Sequence, residues 1–179
     1  MSLVNNFQMM AKYNKRINQQ LITCCQSLSS DDLLKETDSF FSNIISYWNH
    51  ILFGDLILLN RLAVNGISCL SETSLNGLPT PKSPHEIHHE NFNDIMVLRN
   101  KVDVIITQYC ESLSDLDCEK RITYQTTEGE MITKKVADIT QHIFNHQTHH
   151  RGQLTCILSQ LGVNYGCMDL PVIVSEGSG

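Results

Sequence analysis

The sequence lacks any stretch that could cross a membrane as a helix. Such a helix needs roughly 18 consecutive apolar residues, and Asn, His, Asp or Arg interrupt each long apolar stretch of this chain. Residues 1–11 also lack the basic and then apolar regions of a secretory signal peptide. We therefore expect a cytoplasmic protein that makes no membrane contact.

The sequence also has fewer basic than acidic residues. Thirteen Lys and Arg residues stand against nineteen Asp and Glu residues, which gives a net charge of −6. The basic residues are scattered along the chain, apart from the pair Lys134 and Lys135. Because affinity for nucleic acid comes largely from neutralised phosphates, we expect no nucleic-acid partner.

Several common site signatures are missing. The seven cysteines are odd in number and include no C-x-x-C pair, which argues against a disulfide framework and against a zinc ribbon. The chain has no G-x-S-x-G motif, no glycine-rich phosphate loop, no H-E-x-x-H motif and no local pair of catalytic carboxylates. We expect the cysteines to be small apolar core residues in a reducing compartment.

Hydrophobic periodicity is the strongest positive signal. The chain has 179 residues, 41% of them hydrophobic, which suits one folded domain over residues 1–179. Apolar residues recur at three- and four-residue steps in four long segments, and alternating residues around Glu128 and Gly129 indicate a β-hairpin. The predicted fold is all-α, a four-helix bundle with a small β-hairpin before the last helix. The predicted elements are a first helix ending near 29–30, a second over about 39–65, a loop at 66–84, a helical turn from Ser83, a third long helix from Phe92 to Leu113, a hairpin within 121–136, a last helix over about 136–161 and an irregular tail at 164–179.

The last predicted helix carries two histidines where its pattern calls for apolar residues. Its apolar face reads Val136, Ile139, Ile143, His146, His150, Leu154, Ile157 and Leu161. A helical wheel places His150 near the centre of this face, His146 to one side, and His142 and His149 on the flank. One inward histidine is usually an ordinary core residue. Two at positions i and i+4 stack on one face, where their ring nitrogens can converge on a metal ion.

A third ligand must come from another helix, and His50 is the one histidine of the second predicted helix. This helix is apolar all round, so the pattern leaves open whether the bundle or a partner chain covers each face. Asp55 could be a ligand, a carboxylate beside the ligands, or the partner of a basic residue, which is the commonest case. Arg151 could hold a substrate carboxylate, or make a surface salt bridge or a dimer contact. A further group in a proline-rich loop is expected to be solvated: His85, His88 and His89.

The motif residues resemble a known family. The string from Phe144 to Gln153, Phe-Asn-His-Gln-Thr-His-His-Arg-Gly-Gln, is similar to the last-helix motif of DinB-like proteins, and Trp48-Asn49-His50 with Asp55 is similar to their second-helix motif. The resemblance extends from Tyr13 in the first helix to Pro171 in the tail. It implies a four-helix bundle, commonly a homodimer, with a three-histidine metal site. It also implies that His50, His146 and His150 are the ligands, that the ion is usually zinc or nickel, and that His142 lies beside the site.

The predicted ligands and the resemblance together predict a protein that binds a divalent metal ion. Three protein ligands leave one coordination position open, as in catalytic zinc sites, and members of this fold include enzymes that use low-molecular-weight thiols. We therefore expect an enzyme that activates a thiol, or a water, against a small electrophilic substrate. Histidine ligands also suit iron and manganese. Two alternatives stay open: a non-catalytic bundle or binding module stabilised by metal, and a metal-free interaction bundle.

Overall fold

The structure is a computed structural model that describes residues 2–173. It confirms a mostly helical protein with a two-stranded antiparallel hairpin before the last long helix. The elements are α1 (Leu3–Gln26), α2 (Ser30–Leu34), α3 (Ile44–Val64), a 3-10 turn (Glu72–Leu75), α4 (Phe92–Ser112), α5 (Asp115–Glu119), β1 (Arg121–Gln125), β2 (Met131–Lys135), α6 (Val136–Gln160) and α7 (Leu170–Ile173).

The four long helices form the bundle. α1 packs against α4 and α6, and α3 packs against the same two helices, so α1 and α3 lie on one diagonal and α4 and α6 on the other. The apolar faces of all four helices meet in a single core, because an amphipathic helix is stable only when its apolar face is covered. This arrangement sets α3 beside α6, which is where the three candidate histidines lie.

Side-chain caps decide where three of the long helices begin. The side chains of Ser2, Asn43 and Asn91 accept backbone N–H groups in the first turns of α1, α3 and α4, which satisfies donors that have no partner inside the helix. α6 has no such cap, because it continues directly from β2. The N–H of Val136 donates instead to the Lys120 carbonyl before β1, at 2.9 Å.

Helix α3 is covered almost entirely by its own chain. Sixteen of its 21 residues are buried, under α4, α6, α2 and the 3-10 turn. Its all-round apolar character is therefore explained by burial within the bundle and does not require a partner chain. The homodimer stays a prediction from the family resemblance.

Three predicted boundaries are wrong, each for a local reason. α1 ends at Gln26, before Ser29 caps α2. The second long helix begins at Ile44, not near residue 39, because residues 37–42 close a turn in which the Thr37 N–H donates to the Ser42 carbonyl at 2.7 Å. Ser83 starts a hydrogen-bonded turn and no helix.

The tail is not wholly irregular, since α7 forms a helical turn at Leu170–Ile173. The rest of the predicted tail, residues 174–179, lies outside the described residues. Across residues 2–173, no helix is both long enough and apolar enough to pass through a bilayer.

Candidate metal centre

Three histidines from two helices converge at the α3–α6 interface. His50 lies on α3, and His146 and His150 lie one turn apart on α6. The Nε2 atom of His50 is 3.0 Å from Nε2 of His150 and 3.2 Å from Nε2 of His146. One ligand nitrogen from each ring lies within 4.8 Å of the others. The three residues named from the sequence are thus brought together and positioned to bind a metal ion.

The position of the pair on α6 differs from the helical-wheel prediction. His146 and His150 are half-buried at the edge of the helix that faces α3, whereas Gln147 and Arg151 are fully buried at the inward centre. A hydropathy pattern assigns glutamine and arginine to the surface because they are polar. The inward face predicted from the pattern was therefore centred too close to the histidines. Because His146 and His150 are half-buried and His149 beside them is exposed, the cluster lies near the protein surface.

Hydrogen bonds to the outer ring nitrogens fix two of the tautomers. His50 Nδ1 lies 2.9 Å from the carbonyl oxygen of Pro84, and His150 Nδ1 lies 2.8 Å from Oε1 of Gln153. Carbonyl oxygens only accept, so each Nδ1 carries the proton and donates it. In a neutral ring, Nε2 is then unprotonated, with its lone pair directed at the cluster centre. Metal-binding histidines are oriented in the same way by partners outside the coordination shell.

This tautomer pattern fits a cation at the centre. The unprotonated Nε2 atoms of His50 and His150 face each other at 3.0 Å, and two lone pairs at this distance repel. Two nitrogens that each lie about 2.0–2.1 Å from one tetrahedral zinc ion would be about 3.3 Å apart. The separations in the cluster are close to this value, so the donor set and its spacing suit a divalent ion.

Burial keeps the three rings neutral. It lowers the pKa of His146 to about 3, helped by the neighbouring rings of His150 and His50. Burial and the His50 ring lower the pKa of His150 to about 4. Burial also lowers the pKa of His50. The lone pairs that a metal needs are therefore available at neutral pH without the removal of a proton.

These pKa shifts predict an acid-resistant site. We expect zinc bound at about pH 7.5 to be retained at about pH 6 and lost only below about pH 5, because protons compete weakly for rings with lowered pKa. Equilibrium dialysis with elemental analysis across this range measures the loss. In the metal-free protein the unfolded chain binds protons more readily than the folded one, so the free energy of unfolding should fall as pH drops below about 6.5. Zinc loss centred near pH 6.5 would contradict the lowered pKa values.

Apolar and small residues shape the space around the rings. Phe41, which precedes α3, stacks on His50 with ring centroids 4.2 Å apart and meets His150 edge-on at 5.7 Å. Phe53 also stacks on His50, with ring centroids 5.9 Å apart. Gly54 lies directly against the His146 ring, where a Cβ atom would overlap three ring atoms. This role of Gly54 was not predicted from the sequence, although a glycine inside an apolar helix is a signal of close packing.

Asp55 belongs to the bundle interior and pairs with a basic residue. It is fully buried, accepts hydrogen bonds from Arg99 of α4 and from Gln147 of α6, and the latter bond is 2.8 Å long. Burial raises the pKa of Asp55 to about 6, and the Arg99 charge opposes this shift. Of the three predicted roles, the pairing with a basic residue is the one observed. Since Gln147 follows His146 and Asp55 follows Gly54, this contact joins the two helices beside the cluster.

Arg151 is buried, so the predicted surface salt bridge or dimer contact is wrong. Its exposed fraction is 1%, and its guanidinium donates to the Asn14 and Asn18 side chains of α1. Asn18 in turn donates to Asp103 and Gln147 at 2.9 Å each. Arg151 thus closes a polar network across all four long helices, and it does not face the histidine cluster with a free guanidinium.

The other histidines lie near the cluster without joining it. The His142 ring is 5.9 Å from His146 and the His149 ring 4.8 Å from His150, between centroids, and both residues are exposed. His85 is exposed, as expected, and packs against Phe41. The expectation for His88 is wrong, because its side chain is 6% exposed and lies 3.5 Å from the Glu86 carboxylate. Asn49 of α3 accepts the backbone N–H groups of His88 and His89, and His89 is half-buried.

The fold and the cluster together define a class: a four-helix bundle with a three-histidine site between its second and last long helices. The model of the DinB family matches residues 1–175, and the chain belongs to that family. It is 23% identical to protein DinB of Bacillus subtilis over 151 residues, which are 84% of this chain and 83% of that protein. The crystal structure of a DinB-like protein from Bacillus cereus has the same fold, with a TM-score of 0.60 and 14% identity over 92% of this chain and 94% of the other.

Proposed function

We propose that this protein is a divalent-metal-dependent enzyme that activates a thiol, or a water, for transfer to a small electrophilic substrate. The observation that carries the proposal is the number of ligands. Among residues 2–173, the group of side chains that could hold an ion contains three histidines and no fourth protein ligand. Three protein ligands and one open position are typical of catalytic zinc sites, whereas structural sites are closed by four.

The surrounding residues suit such chemistry. A divalent ion held by His50, His146 and His150 would supply Lewis acidity, which lowers the pKa of a thiol or water in the open position. The Pro84 carbonyl and Gln153 orient two of the rings. Phe41 and Phe53 place apolar rings beside His50. The cluster lies near the protein surface, next to the exposed His149, and we propose that a small molecule approaches from there.

Zinc or nickel is the ion we propose, with iron and manganese as further imidazole-compatible ions. A low-molecular-weight thiol is the proposed co-substrate, and no nucleic acid takes part, consistent with the net charge of −6. All seven cysteines are free thiols, which supports a reducing compartment such as the cytoplasm. We also propose a homodimer, which sedimentation analysis of the purified protein would test.

Cobalt substitution tests whether the fourth position is open to thiols. We expect cobalt-loaded protein to show visible absorption bands that change on addition of a small thiol, because a new sulfur ligand alters the coordination of cobalt. The same thiol should then react faster with an alkylating electrophile in the presence of zinc-loaded protein than in its absence. His149→Ala is the matched control, since it removes an exposed imidazole next to His150 and should leave both responses intact.

Each outcome decides between enzyme and binding module. A spectral response together with zinc-dependent acceleration supports thiol activation. Acceleration of ester hydrolysis without a thiol response would shift the proposal to water activation. If no thiol changes the cobalt spectrum and neither reaction is accelerated, the proposed enzymatic activity is overturned. The result would then favour a helical bundle in which the metal ion only stabilises the fold.

A further inference from the structure

Asn49 stands next to a metal-ligand candidate, and its side chain faces a loop that also reaches that ligand. Asn49 is fully buried on α3. Its Oδ1 accepts the backbone N–H groups of His88 at 2.9 Å and His89 at 3.1 Å. Its Nδ2 donates to the carbonyl oxygens of His89 and Ile45, at 2.9 Å each. The amide thus uses both donors and both acceptor sites, and three of its four bonds go to residues 88–89.

The same loop supplies the carbonyl group that orients His50. Pro84 accepts the Nδ1–H of His50 at 2.9 Å, four residues before His88. The intervening chain is a tight turn, in which the Glu86 N–H donates to the Ser83 carbonyl at 3.1 Å. The Glu86 carboxylate also accepts the Lys82 N–H at 2.7 Å. Residues 82–89 are therefore one small, internally bonded unit that α3 holds at two points, His50 and Asn49.

The two points are not equivalent. The bond from His50 to Pro84 is a single part-buried contact, whereas Asn49 makes three part-buried bonds to residues 88–89. A residue in an irregular loop keeps its position only if such contacts offset the entropy of ordering the loop. Of the four side-chain hydrogen bonds described between α3 and residues 82–89, three come from Asn49.

We infer that Asn49 is a positioning residue for the metal centre: by holding residues 88–89 it keeps the Pro84 carbonyl on His50 Nδ1, which fixes the His50 tautomer and directs Nε2 at the ion. This inference rests on the proposed metal site and is independent of turnover. The loop and the ion are then coupled, because an ion that requires unprotonated Nε2 on His50 favours the bond from Nδ1 to Pro84 and so the ordered loop. Coupling between two sites is reciprocal.

The first test uses metal-free and zinc-loaded wild-type protein. In the metal-free state, NMR of the imidazole nitrogens should show His50 protonated at Nδ1. Zinc should slow hydrogen exchange at the His88 and His89 amides, as the coupling requires, and should leave the amides of the distant hairpin at residues 121–135 unchanged. Fast hydrogen exchange at the His88 and His89 amides in both the metal-free and the zinc-loaded protein would overturn the inference. This result requires no variant.

The second test removes the amide. Asn49→Leu and Asn49→Ala should each give metal-free protein in which His50 exchanges between tautomers, and should weaken zinc binding by about 10-fold or more, as loss of an outer partner of a metal-bound histidine typically does. Competition with a chromogenic chelator measures the zinc affinity. Thr140→Val is the control, because Thr140 is equally buried and bonds to Tyr109 and Val136, away from the loop. It should leave both the tautomer and the zinc affinity unchanged.

The outcomes separate this inference from the proposed function. Wild-type His50 tautomer and zinc affinity in a folded Asn49 variant would overturn it. Equal weakening of zinc binding by Thr140→Val would also overturn it, since general destabilisation would then be the cause. If zinc binds and responds as expected but no thiol reacts, the proposed enzyme fails while the positioning role of Asn49 stands.

Discussion

Gly54→Ala should abolish tight metal binding while the bundle stays folded. A Cβ atom at this position would overlap the His146 ring, so the ring must leave the position in which its Nε2 faces His50. Glycine in a helix interior is about 0.5–1 kcal/mol less favourable than alanine, so the substitution favours the α3 helix even as it displaces the ligand. We expect zinc affinity to fall by about 100-fold or more, measured by chelator competition, with little change in the circular dichroism of the helices.

Gly152→Ala is the matched control for this variant. Gly152 is also a helical glycine, on α6 two residues after His150, but a Cβ atom there meets nothing within 4 Å. We expect unchanged zinc affinity and a small gain in stability of about 0.5–1 kcal/mol. Full zinc affinity in Gly54→Ala would show that His146 binds no metal or that its ring can move without loss.

His150→Ala should lose most of the bound metal. The wild-type protein, purified without chelators and reconstituted with zinc, should contain about one ion per chain. Two remaining histidine ligands hold a divalent ion weakly, so after gel filtration the variant should contain little. Elemental analysis of zinc per chain gives the result, and His50→Ala and His146→Ala should behave in the same way.

His149→Ala controls for this loss, because it removes the neighbouring exposed imidazole and should leave the zinc content intact. Retention of one zinc per chain in His150→Ala would remove His150 from the site. Loss of zinc in His149→Ala would mean that the ligands on α6 had been misassigned. Absence of zinc from the reconstituted wild type would leave the three histidines as ordinary residues of the α3–α6 interface.

The elements of the fold were largely predictable because their signals are local. Three- and four-residue periodicity marked the four long helices, and the change to alternation around Gly129 marked the hairpin, where Gly129 has a φ of 91° that favours glycine. The errors fell at boundaries and in short pieces, such as α5 and α7. A four- or five-residue helix carries too little periodicity to be recognised.

The residues around the cluster divide according to whether their partners are near in sequence. Gln153 lies three residues after His150 on the same helix face, so its contact could have been predicted from spacing. The Pro84 carbonyl could not, since any backbone carbonyl is chemically equivalent until the loop is placed. The role of Asp55 also depended on contacts from two other helices, those of Arg99 and Gln147.

The clearest failure was the inward face of α6. Hydropathy placed His150 at its centre, and a surface salt bridge or dimer contact was among the roles expected for Arg151, whereas Arg151 is 1% exposed. A buried arginine is stable only when other groups receive its hydrogen bonds, and here Asn14 and Asn18 of α1 do so. A pattern within one helix contains no information about such partners.

The sequence by itself determined the class of this protein and the identity of its three candidate ligands. The i, i+4 pair His146 and His150 needs only helix geometry, and the motif around His50 needs only the order of residues. The tertiary structure decided what makes these residues a site: the convergence of three Nε2 atoms, the tautomers set by Pro84 and Gln153, and the close approach that Gly54 permits. These features are distances between groups up to 100 residues apart in the chain, and such distances exist only once the helices have packed.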